Sequence, residues 1–496
     1  MREIIDILRY IVENFILVYA IVIILSYIIL AVISLFVLRS YLRRNSYIDY
    51  EVVLSSQLSP SISVIAPAYN EGKTIIDNVR ALLSLFYQDF EVIIINDGST
   101  DDSLEIVIEA YDLEKIDYAV NYKIPTEEVI GVYKSRNQSF SNLIVIDKFN
   151  GGKADALNAG LNISSNDYFV SIDVDSIVAH DALLKLAKPF LEEKERRIIA
   201  TGGVIRIANS CEIEGGQLIR VRAPKQILPK FQVLEYTRSF LMGRMAWSRL
   251  NGLLIISGAL GLFDREIAIK CGGYYAKTVG EDMELVVRMR KYMSDNRLKY
   301  KVSFVPDPLC WTEVPSSVRQ LGRQRNRWVR GTIDTLWMHK EIFLNPKYGL
   351  MGLLSYPYWF FFEWLAPIFE LIGFVYFILV ILLEDPDWIY LLVMLGFIYV
   401  FAVTFSTYAL LFEEMTFHKY EKRSDVAKLL LYAWLEPIIY HPLILWWGIK
   451  GNYDYFIARK RGWGEMQRKG FQHKTYEDKD GPDRDDSENG SSYRIA

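Results

Sequence analysis

The sequence predicts a mostly parallel α/β sheet domain, with helices on both faces, inserted between α-helical transmembrane segments. Apolar residues make up 51% of the 496-residue chain and gather in long runs near its two ends. Between these runs, short apolar stretches alternate with segments of helical periodicity. Apolar strands that alternate with helices are typical of a parallel sheet that is covered on both faces.

The strands of this domain are expected where short apolar stretches run into polar turns. Ser61–Asn70 is the first, and Glu71–Tyr87 after it has apolar residues at helical spacing. Val92–Ile95 and Leu143–Ile146 are the second and third, and a fourth ends in two aspartates. In open α/β sheets the ligand binds beyond the carboxyl ends of the strands. The polar residues at that edge are Asn70, Asp97, Lys153, Asp173 and Asp175.

The third strand leads into a glycine-opened turn, Asn150–Lys153, and then into a helix of small and apolar residues. The next strand ends in Asp173 and Asp175, one residue apart. Positions i and i+2 of an extended segment point to the same side, so the two carboxylates can bind one cation. A lysine and backbone amides at the adjoining helix N-terminus suit a diphosphate. The alternative is that both aspartates only end a strand, because acidic residues are common in turns.

The first apolar run, Phe15–Leu38, is long enough to cross a bilayer, which takes about 20 residues. A secretory signal peptide fits it poorly, because the run is long and arginines follow it without a small-residue cleavage site. Basic residues at this end predict a retained span whose C-terminal end is cytoplasmic. Further apolar runs occupy 351–383, 388–412 and 427–449.

The C-terminal runs cannot all be simple spans. Arg459, Lys460 and Arg461 follow the last run and indicate a cytoplasmic C-terminus, whereas three more crossings would place that end outside. The last run also contains Glu436-Pro437 and His441-Pro442, which predict a broken helix, a re-entrant turn or a cavity wall. The acidic linker 384–387 suits the outer side.

Charge and cysteine content restrict the partners. The net charge of −4 gives no case for binding nucleic acid. Cys211, Cys271 and Cys310 are odd in number and fit no zinc spacing, so reduced, structural thiols are expected.

The segment 318–340 is amphipathic and basic, with five arginines and two tryptophans. A membrane run begins soon after it, which predicts a helix lying on an anionic cytoplasmic leaflet. The alternatives are a solvated basic face and nucleic-acid binding, but no groove-reading motif accompanies the arginines. Upstream, Gly280-Glu281-Asp282 opens a further helix, where Asp282 could be only an N-terminal cap.

The predicted organisation has six parts. These are an N-terminal transmembrane segment at 1–45, a cytoplasmic α/β domain at 55–314, an amphipathic interface helix at 315–345, a C-terminal transmembrane region at 350–450, a basic juxtamembrane segment at 451–475 and a disordered acidic tail at 476–496.

Four motifs follow one another in a recognisable order: Asn96–Ser99, Gly151–Lys153 leading to Asp173–Asp175, Gly280–Asp282 and Gln324–Trp328. With them the chain resembles the membrane-integrated family 2 glycosyltransferases, which include cellulose, chitin, hyaluronan and poly-N-acetylglucosamine synthases. The resemblance runs from about Ser61 into the C-terminal membrane region and implies a nucleotide-sugar domain of the GT-A type. Gln324–Trp328 matches the family's Q-x-x-R-W signature. Gly280 stands where the family more often has threonine.

The resemblance implies a role for each donor-site residue. Asp97 would hydrogen-bond the uracil or ribose of a UDP-sugar. Asp173 and Asp175 would hold Mg²⁺ or Mn²⁺ on the diphosphate, where Asp173 also belongs to the nucleotide site. Lys153 would assist as a positive charge.

The remaining motifs would act on the acceptor. Asp282 would be the general base for the acceptor hydroxyl. Gln324 and Arg327 would hold the diphosphate or the acceptor, and Trp328 would stack on the acceptor sugar.

The resemblance implies a processive, inverting β-glycosyltransferase that polymerises a sugar from UDP-N-acetylglucosamine or UDP-glucose into an exported polysaccharide. The basic tail Trp463–Phe471 favours the poly-N-acetylglucosamine branch. Its partners would be the donor, a growing polysaccharide or lipid acceptor and the bilayer of the plasma membrane, with several crossings and a cytoplasmic catalytic domain. No regulatory domain is evident after the last membrane run. The alternatives are transfer of one sugar to a membrane lipid and an inert nucleotide-sugar-binding scaffold.

Overall fold

The computed structural model describes residues 2–45, 59–118, 120, 122–383, 388–460 and 462. The predictions for the acidic linker 384–387, for Trp463–Phe471 and for the tail at 476–496 lie outside the described residues.

A ten-stranded sheet forms the centre of the described chain, in the order β3-β4-β5-β2-β1-β6-β11-β8-β12-β7. A separate two-stranded sheet consists of β9 and β10. The strands are β1 (Ile62–Ala68), β2 (Phe90–Asp97), β3 (Leu113–Ile116), β4 (Val129–Ser135), β5 (Leu143–Lys148), β6 (Tyr168–Ile172), β7 (Ile177–Val178), β8 (Arg197–Ile207), β9 (Glu212–Glu214), β10 (Gln217–Arg220), β11 (Leu260–Asp264) and β12 (Tyr300–Thr312).

The predicted α/β class is confirmed, and the sheet is mixed rather than mostly parallel. Strands β5, β2, β1 and β6 are parallel neighbours, as their apolar character predicted. Only four of the nine pairings in the large sheet are parallel, however. The antiparallel pairings involve β3, β4, β7 and β11, where the sequence carries no continuous strand–helix alternation.

The central strands are covered on both faces. In β2 every residue from Val92 to Asp97 is buried. Because successive side chains of a strand point to opposite faces, this continuous burial requires packing on both sides.

Helices precede the sheet in the chain, alternate with its strands and continue after the last strand. They are α1 (Arg2–Asn45), α2 (Ile75–Leu83), α3 (Ser103–Ala110), α4 (Lys153–Ile163), α5 (Ala182–Glu192), α6 (Ile227–Thr237), α7 (Met245–Arg249), α8 (Arg265–Lys270), α9 (Glu281–Asp295), α10 (Val318–Met338), α11 (Tyr356–Tyr358), α12 (Ala366–Leu383), α13 (Trp388–Phe417), α14 (Arg423–Leu435) and α15 (His441–Phe456). Four π-helical segments join some of them, at Arg238–Arg244, Met351–Ser355, Trp359–Trp364 and Glu436–Tyr440.

Four helical stretches of the described chain are long and apolar enough to cross a membrane: Arg9–Arg44, Ala366–Leu383, Leu391–Phe417 and Arg423–Phe456. They support a membrane protein, as the hydropathy predicted.

The catalytic domain contacts α1 and α13 at their C-terminal ends. Near the end of α1, the Tyr41 hydroxyl donates to Asp307, which lies in β12. Near the end of α13, Glu413 forms an ion pair with Arg206 of β8 at 2.5 Å.

The last apolar stretch is bonded to other parts of the protein at both of its ends. Before α14, Glu421 pairs with Arg220 of β10 at 2.9 Å. After α15, the carbonyl of Lys460 accepts from Arg330 of α10 at 2.8 Å. One end of this stretch is therefore held by the two-stranded sheet and the other by α10.

Candidate active site

A cavity of about 1450 Å³ opens between the carboxyl edge of the sheet and the C-terminal helices. It brings together Lys153, Asp173, Asp175, Asp282, Gln324, Arg327 and Trp328, seven of the eight residues predicted for the site. The cavity continues past them to Trp364, to Pro367 of α12 and to Gly448 of α15. One space therefore joins the predicted donor residues to the helices that are candidates for the membrane.

Asp97, the eighth predicted residue, does not line this cavity. Its side chain is buried beneath the glycine turn, where Oδ1 accepts from the Gly151 amide at 3.0 Å and Oδ2 from the Gly152 amide at 2.8 Å. Buried Lys148 donates to Asp97 at 2.7 Å and pairs with Asp155 at 2.6 Å. In this arrangement Asp97 fixes the turn from which Lys153 projects.

Gly98 allows the strand end and the glycine turn to meet. It has φ +66°, and a Cβ at this position would lie 2.7 Å from the backbone nitrogen of Asn150. No other residue type fits that close backbone approach, so the glycine of Asn96–Ser99 is a packing requirement.

Lys153 stands at the start of α4 and reaches Asp173. Its ammonium donates to Asp173 and to the carbonyl of Gly258, at 3.2 Å in the second case, and lies 4.0 Å from Glu281. Burial lowers the pKa of Lys153, but the charges of Asp173, Glu281 and Asp282 outweigh that effect and raise it overall. Lys153 is therefore a fixed positive charge at the predicted diphosphate site.

The two aspartates of the D-x-D lie in a turn and not in the extended strand that the sequence predicted. Strand β6 ends at Ile172, and the amide of Ser176 donates to the carbonyl of Asp173 at 2.9 Å to close the turn. The prediction that Asp173 and Asp175 share one side of an extended strand is therefore wrong. The turn still directs both carboxylates to the cavity, with Val174 buried between them.

Asp282 is the second residue of α9 and not its N-cap, because Gly280 holds the cap position. Its Oδ2 accepts from the Gly258 amide at 3.1 Å, and its Oδ1 accepts from the Met283 amide at 2.8 Å. Backbone amides hold the carboxylate on the cavity wall, so the reading of Asp282 as a helix cap is wrong.

Glu281 belongs to the Gly280–Asp282 motif, but the resemblance implies no role for it. The residue is buried, with 5% exposed, and lies beside Lys153. Burial raises its pKa to about 7, with Lys153 opposing the shift and Asp282 adding to it. A carboxyl that titrates near neutral pH next to the predicted base is a signal of the site that sequence alone does not show.

Gly280 brings α9 and α10 into backbone contact. A Cβ on Gly280 would lie 2.8 Å from the Cα of Gly331 in α10. This contact explains why glycine stands where the family more often has threonine. It also brings the helix with Gln324–Trp328 close to Asp282.

Most arginines of α10 reach the cavity. Four of the five, Arg319, Arg323, Arg325 and Arg327, line it. Arg325 is 6% exposed and pairs with Glu235, which also accepts from Tyr440 at 2.7 Å. The fifth, Arg330, donates to the carbonyl of Lys460. Part of the basic face is thus a cavity wall, while Arg319 and Arg323 are exposed, and the contact of this helix with lipid stays a prediction.

Trp328 presents an aromatic surface at the cavity. It is 39% exposed, and its ring lies 4.4 Å from the Arg325 guanidinium and 6.5 Å from the ring of Tyr236. Gln324, one turn earlier, has a buried Oε1 that accepts no hydrogen bond within the described part of the chain. These groups suit a polyhydroxylated ligand.

The polar and aromatic groups of the C-terminal apolar runs divide into two sets. Glu363 and Trp364 line the cavity. The others pair inside the protein: Glu436 with Arg238 at 2.6 Å, Glu370 with His441 at 2.7 Å, and Tyr440 with Glu235. For these four, pairing within the protein explains the polar group.

Sequence reasoning missed Arg244, which ends the π-helical segment Arg238–Arg244 and lines the cavity. Its guanidinium lies 4.0 Å from the ring of Phe240. Burial lowers the pKa of Arg244 to about 10, against the opposing charges of Asp282 and Glu363. No motif marks this arginine, because only the fold brings it to the cavity.

Two family models match the chain, and the ranges that they match overlap. The model described as glycosyl transferase family 2 matches residues 63–249, and glycosyl transferase family group 2 matches residues 168–406. The chain belongs to the family 2 glycosyltransferases. All eight predicted site residues of this family 2 enzyme fall within the matched ranges.

Curated relatives of this glycosyltransferase include poly-β-1,6-N-acetyl-D-glucosamine synthases. The protein of Staphylococcus epidermidis is 29% identical over 324 residues, which are 65% of this chain and 66% of the relative. That of Staphylococcus aureus strain COL is 27% identical over 320 residues, 63% of this chain and 64% of the relative. The chain thus spans just under two thirds of the length of the curated relatives it matches.

Solved structures with some similarity include a mannosyltransferase of Pyrobaculum calidifontis in complex with GDP-Man and Mn²⁺. It is 16% identical, with a TM-score of 0.49, over 83% of this chain and 98% of that one. TarS residues 1–349 of S. aureus are 15% identical, with a TM-score of 0.35, over 80% of this chain and 91% of that one.

Proposed function

We propose that this family 2 glycosyltransferase polymerises N-acetylglucosamine from UDP-N-acetylglucosamine into a β-linked polysaccharide and passes the product into the membrane region. The observation that carries the proposal is the single cavity that joins Asp173 and Asp175, Asp282 and the Gln324–Trp328 motif to α12 and α15. In this proposal the donor, the base, the acceptor surface and the exit all border one space.

The donor diphosphate binds at the D-x-D turn. Asp173 and Asp175 offer hard oxygen ligands, which suit Mg²⁺ or Mn²⁺. Among the described residues no three His, Cys, Asp or Glu side chains are grouped to hold a metal, so an ion held by Asp173 and Asp175 would need further ligands from outside the protein. When bound, it would supply positive charge to offset the charge of the leaving UDP. Lys153, already bonded to Asp173, adds a second positive charge. Asp97 supports the turn and the nucleotide from beneath.

Asp282 is the general base. Its carboxylate takes the proton from the acceptor hydroxyl while the oxygen of that hydroxyl bonds to the anomeric carbon. The bond from the anomeric carbon to UDP breaks on the opposite face, so that an α-linked donor gives a β-linked product. The amides of Gly258 and Met283 orient the carboxylate for this step.

The acceptor lies against α10. Trp328 stacks on the acceptor sugar, and Gln324 and Arg327 hydrogen-bond the acceptor or the diphosphate. An aromatic platform in the same cavity as the base and the membrane helices can hold a product end between additions, which processive synthesis requires.

Three crossings agree with the contacts of the helices. Helices α1, α12 and α13 cross, while the stretch of α14 and α15 does not, since its start is bonded to β10 and its end to α10. This arrangement keeps the catalytic domain and residue 460 on one side, which basic residues mark as the cytoplasmic side of the plasma membrane.

The names of the relatives favour N-acetylglucosamine over glucose as the transferred sugar. The test is to supply purified protein in lipid with a panel of UDP-sugars and a divalent metal. The expected result is UDP release and a β-linked polymer with UDP-N-acetylglucosamine alone. A lipid-extractable single-sugar product would instead indicate transfer to a membrane lipid, and no UDP release with any donor would indicate an inert scaffold.

A further inference from the structure

The cavity has a second polar wall, built from two π-helical segments, beyond the residues assigned so far. Arg244 ends the segment Arg238–Arg244, and Trp359 and Glu363 belong to the segment Trp359–Trp364. All three side chains line the cavity. π-Helical turns are rare and are frequent at functional sites, where they redirect side chains.

The donors of this wall are unsatisfied in the described part of the chain. The Nη1 atom of Arg244 and the Nε1 atom of Trp359 are buried and have no hydrogen-bond partner there. Buried polar atoms are nearly always hydrogen-bonded, and the exceptions call for an explanation such as a ligand. Here both atoms belong to side chains that face the same large cavity.

Glu363 supplies the matching acceptor. Its carboxylate is close enough to Arg244 for each to affect the charge of the other, yet the two form no salt bridge. If the wall served only to neutralise buried charge, direct pairing would do so, as it does for Arg238 and Glu436. Because the two groups do not pair directly, each keeps hydrogen-bonding capacity for a ligand in the cavity.

We propose that Arg244, Trp359 and Glu363 form a binding subsite for a neutral sugar residue of the growing chain, next to Asp282 on the side of the membrane helices. A sugar ring offers both hydroxyl donors and oxygen acceptors, and so satisfies a guanidinium, an indole N–H and a carboxylate together. Trp328 and Trp364 on the adjoining walls add the aromatic surfaces that sugars stack on.

A diphosphate fits this wall less well. A carboxylate beside the guanidinium repels an anionic ligand, whereas a neutral sugar uses both groups. The diphosphate residues Lys153 and Asp173 are also bonded to each other at the D-x-D turn. The subsite therefore deepens the proposed function and rests on it only for the identity of the sugar.

The test measures binding without turnover. Short β-linked N-acetylglucosamine oligomers are titrated into the purified full chain, and the change in tryptophan fluorescence gives the dissociation constant. Arg244→Met keeps the length of the side chain but removes its donors, and Glu363→Gln keeps the shape but removes the charge. Each is expected to weaken oligomer binding about tenfold and to leave UDP binding unchanged. The control is Arg249→Met, on the exposed end of α7, which should bind oligomers as the wild type does.

Several outcomes would overturn the subsite. These are wild-type protein that binds no oligomer, variants that bind it normally, and variants that lose UDP affinity instead. If Arg244→Met does not fold, Glu363→Gln alone decides. Kinetics separate the two proposals: where the protein makes polymer, the variants should raise KM for the oligomer more than they lower kcat. Oligomer binding without any polymer would contradict the proposed function and leave the subsite standing.

Discussion

The carboxylates in and beneath the cavity have different roles because their partners differ. Asp97 is held by two backbone amides and a buried lysine, so it serves the structure of the glycine turn. Asp173 is bonded to Lys153. Asp282 accepts only backbone N–H groups and faces the cavity, which leaves it able to receive a proton.

Asp282→Asn is expected to abolish transfer. The amide keeps the size of the side chain but cannot take a proton, and loss of a general base lowers the rate by about 10²–10⁴-fold. UDP release from UDP-N-acetylglucosamine measures turnover, and UDP binding to the same variant should stay near the wild-type value. Turnover within a few-fold of wild type would return Asp282 to a structural role.

Metal removal is expected to stop transfer, and Mn²⁺ or Mg²⁺ to restore it, because two carboxylates and a diphosphate make a hard-oxygen site. Asp175→Ala should weaken metal binding and so raise the concentration of metal needed for half-maximal activity. Glu192→Ala, on the surface helix α5, is a control that should leave this concentration unchanged. Full wild-type activity in excess chelator would show that the D-x-D turn binds no catalytic metal.

At the scale of elements, the helices around the cavity are placed by close backbone contact and by buried ion pairs. Helix α10 meets the start of α9 at Gly280 and Gly331. The same helix is tied to α6 by Arg325 and Glu235 and to the end of α15 by Asn326 and Asp454. These contacts place the tryptophan of Q-x-x-R-W relative to the base.

Gly280→Thr is expected to impair this chain although threonine is the commoner residue of the family. The added Cβ would meet the Gly331 backbone at 2.8 Å, so α10 must shift. Overpacking of this kind costs about 1–3 kcal/mol of stability. A lower unfolding temperature in detergent and a larger loss of polymer than of UDP binding are the measurements.

Gly396→Ala is the matched control, because no atom lies within 4 Å of the position its Cβ would take. It should leave both stability and activity near wild type. A Gly280→Thr variant as stable and active as this control would contradict the helix contact.

Much of the fold and site could be predicted from sequence, because it rests on local patterns. Apolar runs gave β1, β2, β5 and β6, and polar residues at strand ends gave Lys153, Asp173 and Asp175. The turn at the D-x-D was missed, since a strand end and a turn share the same residues. The sequence does not predict that Arg244, Trp359 and Glu363 lie on one wall of the cavity. They come together there because the fold brings two π-helical segments, distant in the chain, to that cavity.

At the scale of the whole molecule, the cavity connects the sheet edge with the candidate membrane helices. A chain end held by Trp328 need move only a short way to reach Trp364 and Pro367. Synthesis and export are then two uses of one passage. Residue 421 is bonded to Arg220 of β10 and residue 460 to Arg330 of α10, so both ends of the last apolar stretch stay beside the part of the protein that carries the site.

The most direct test uses sealed vesicles that carry the protein with its catalytic domain outward, supplied with labelled UDP-N-acetylglucosamine and metal. The account predicts labelled polymer in the lumen, protected from an added glycosidase until detergent is present. Trp328→Ala should shorten or abolish this polymer while UDP release continues. Polymer that the glycosidase digests fully without detergent would contradict passage through the membrane region, and a lipid-extractable product without polymer would contradict polymer synthesis itself.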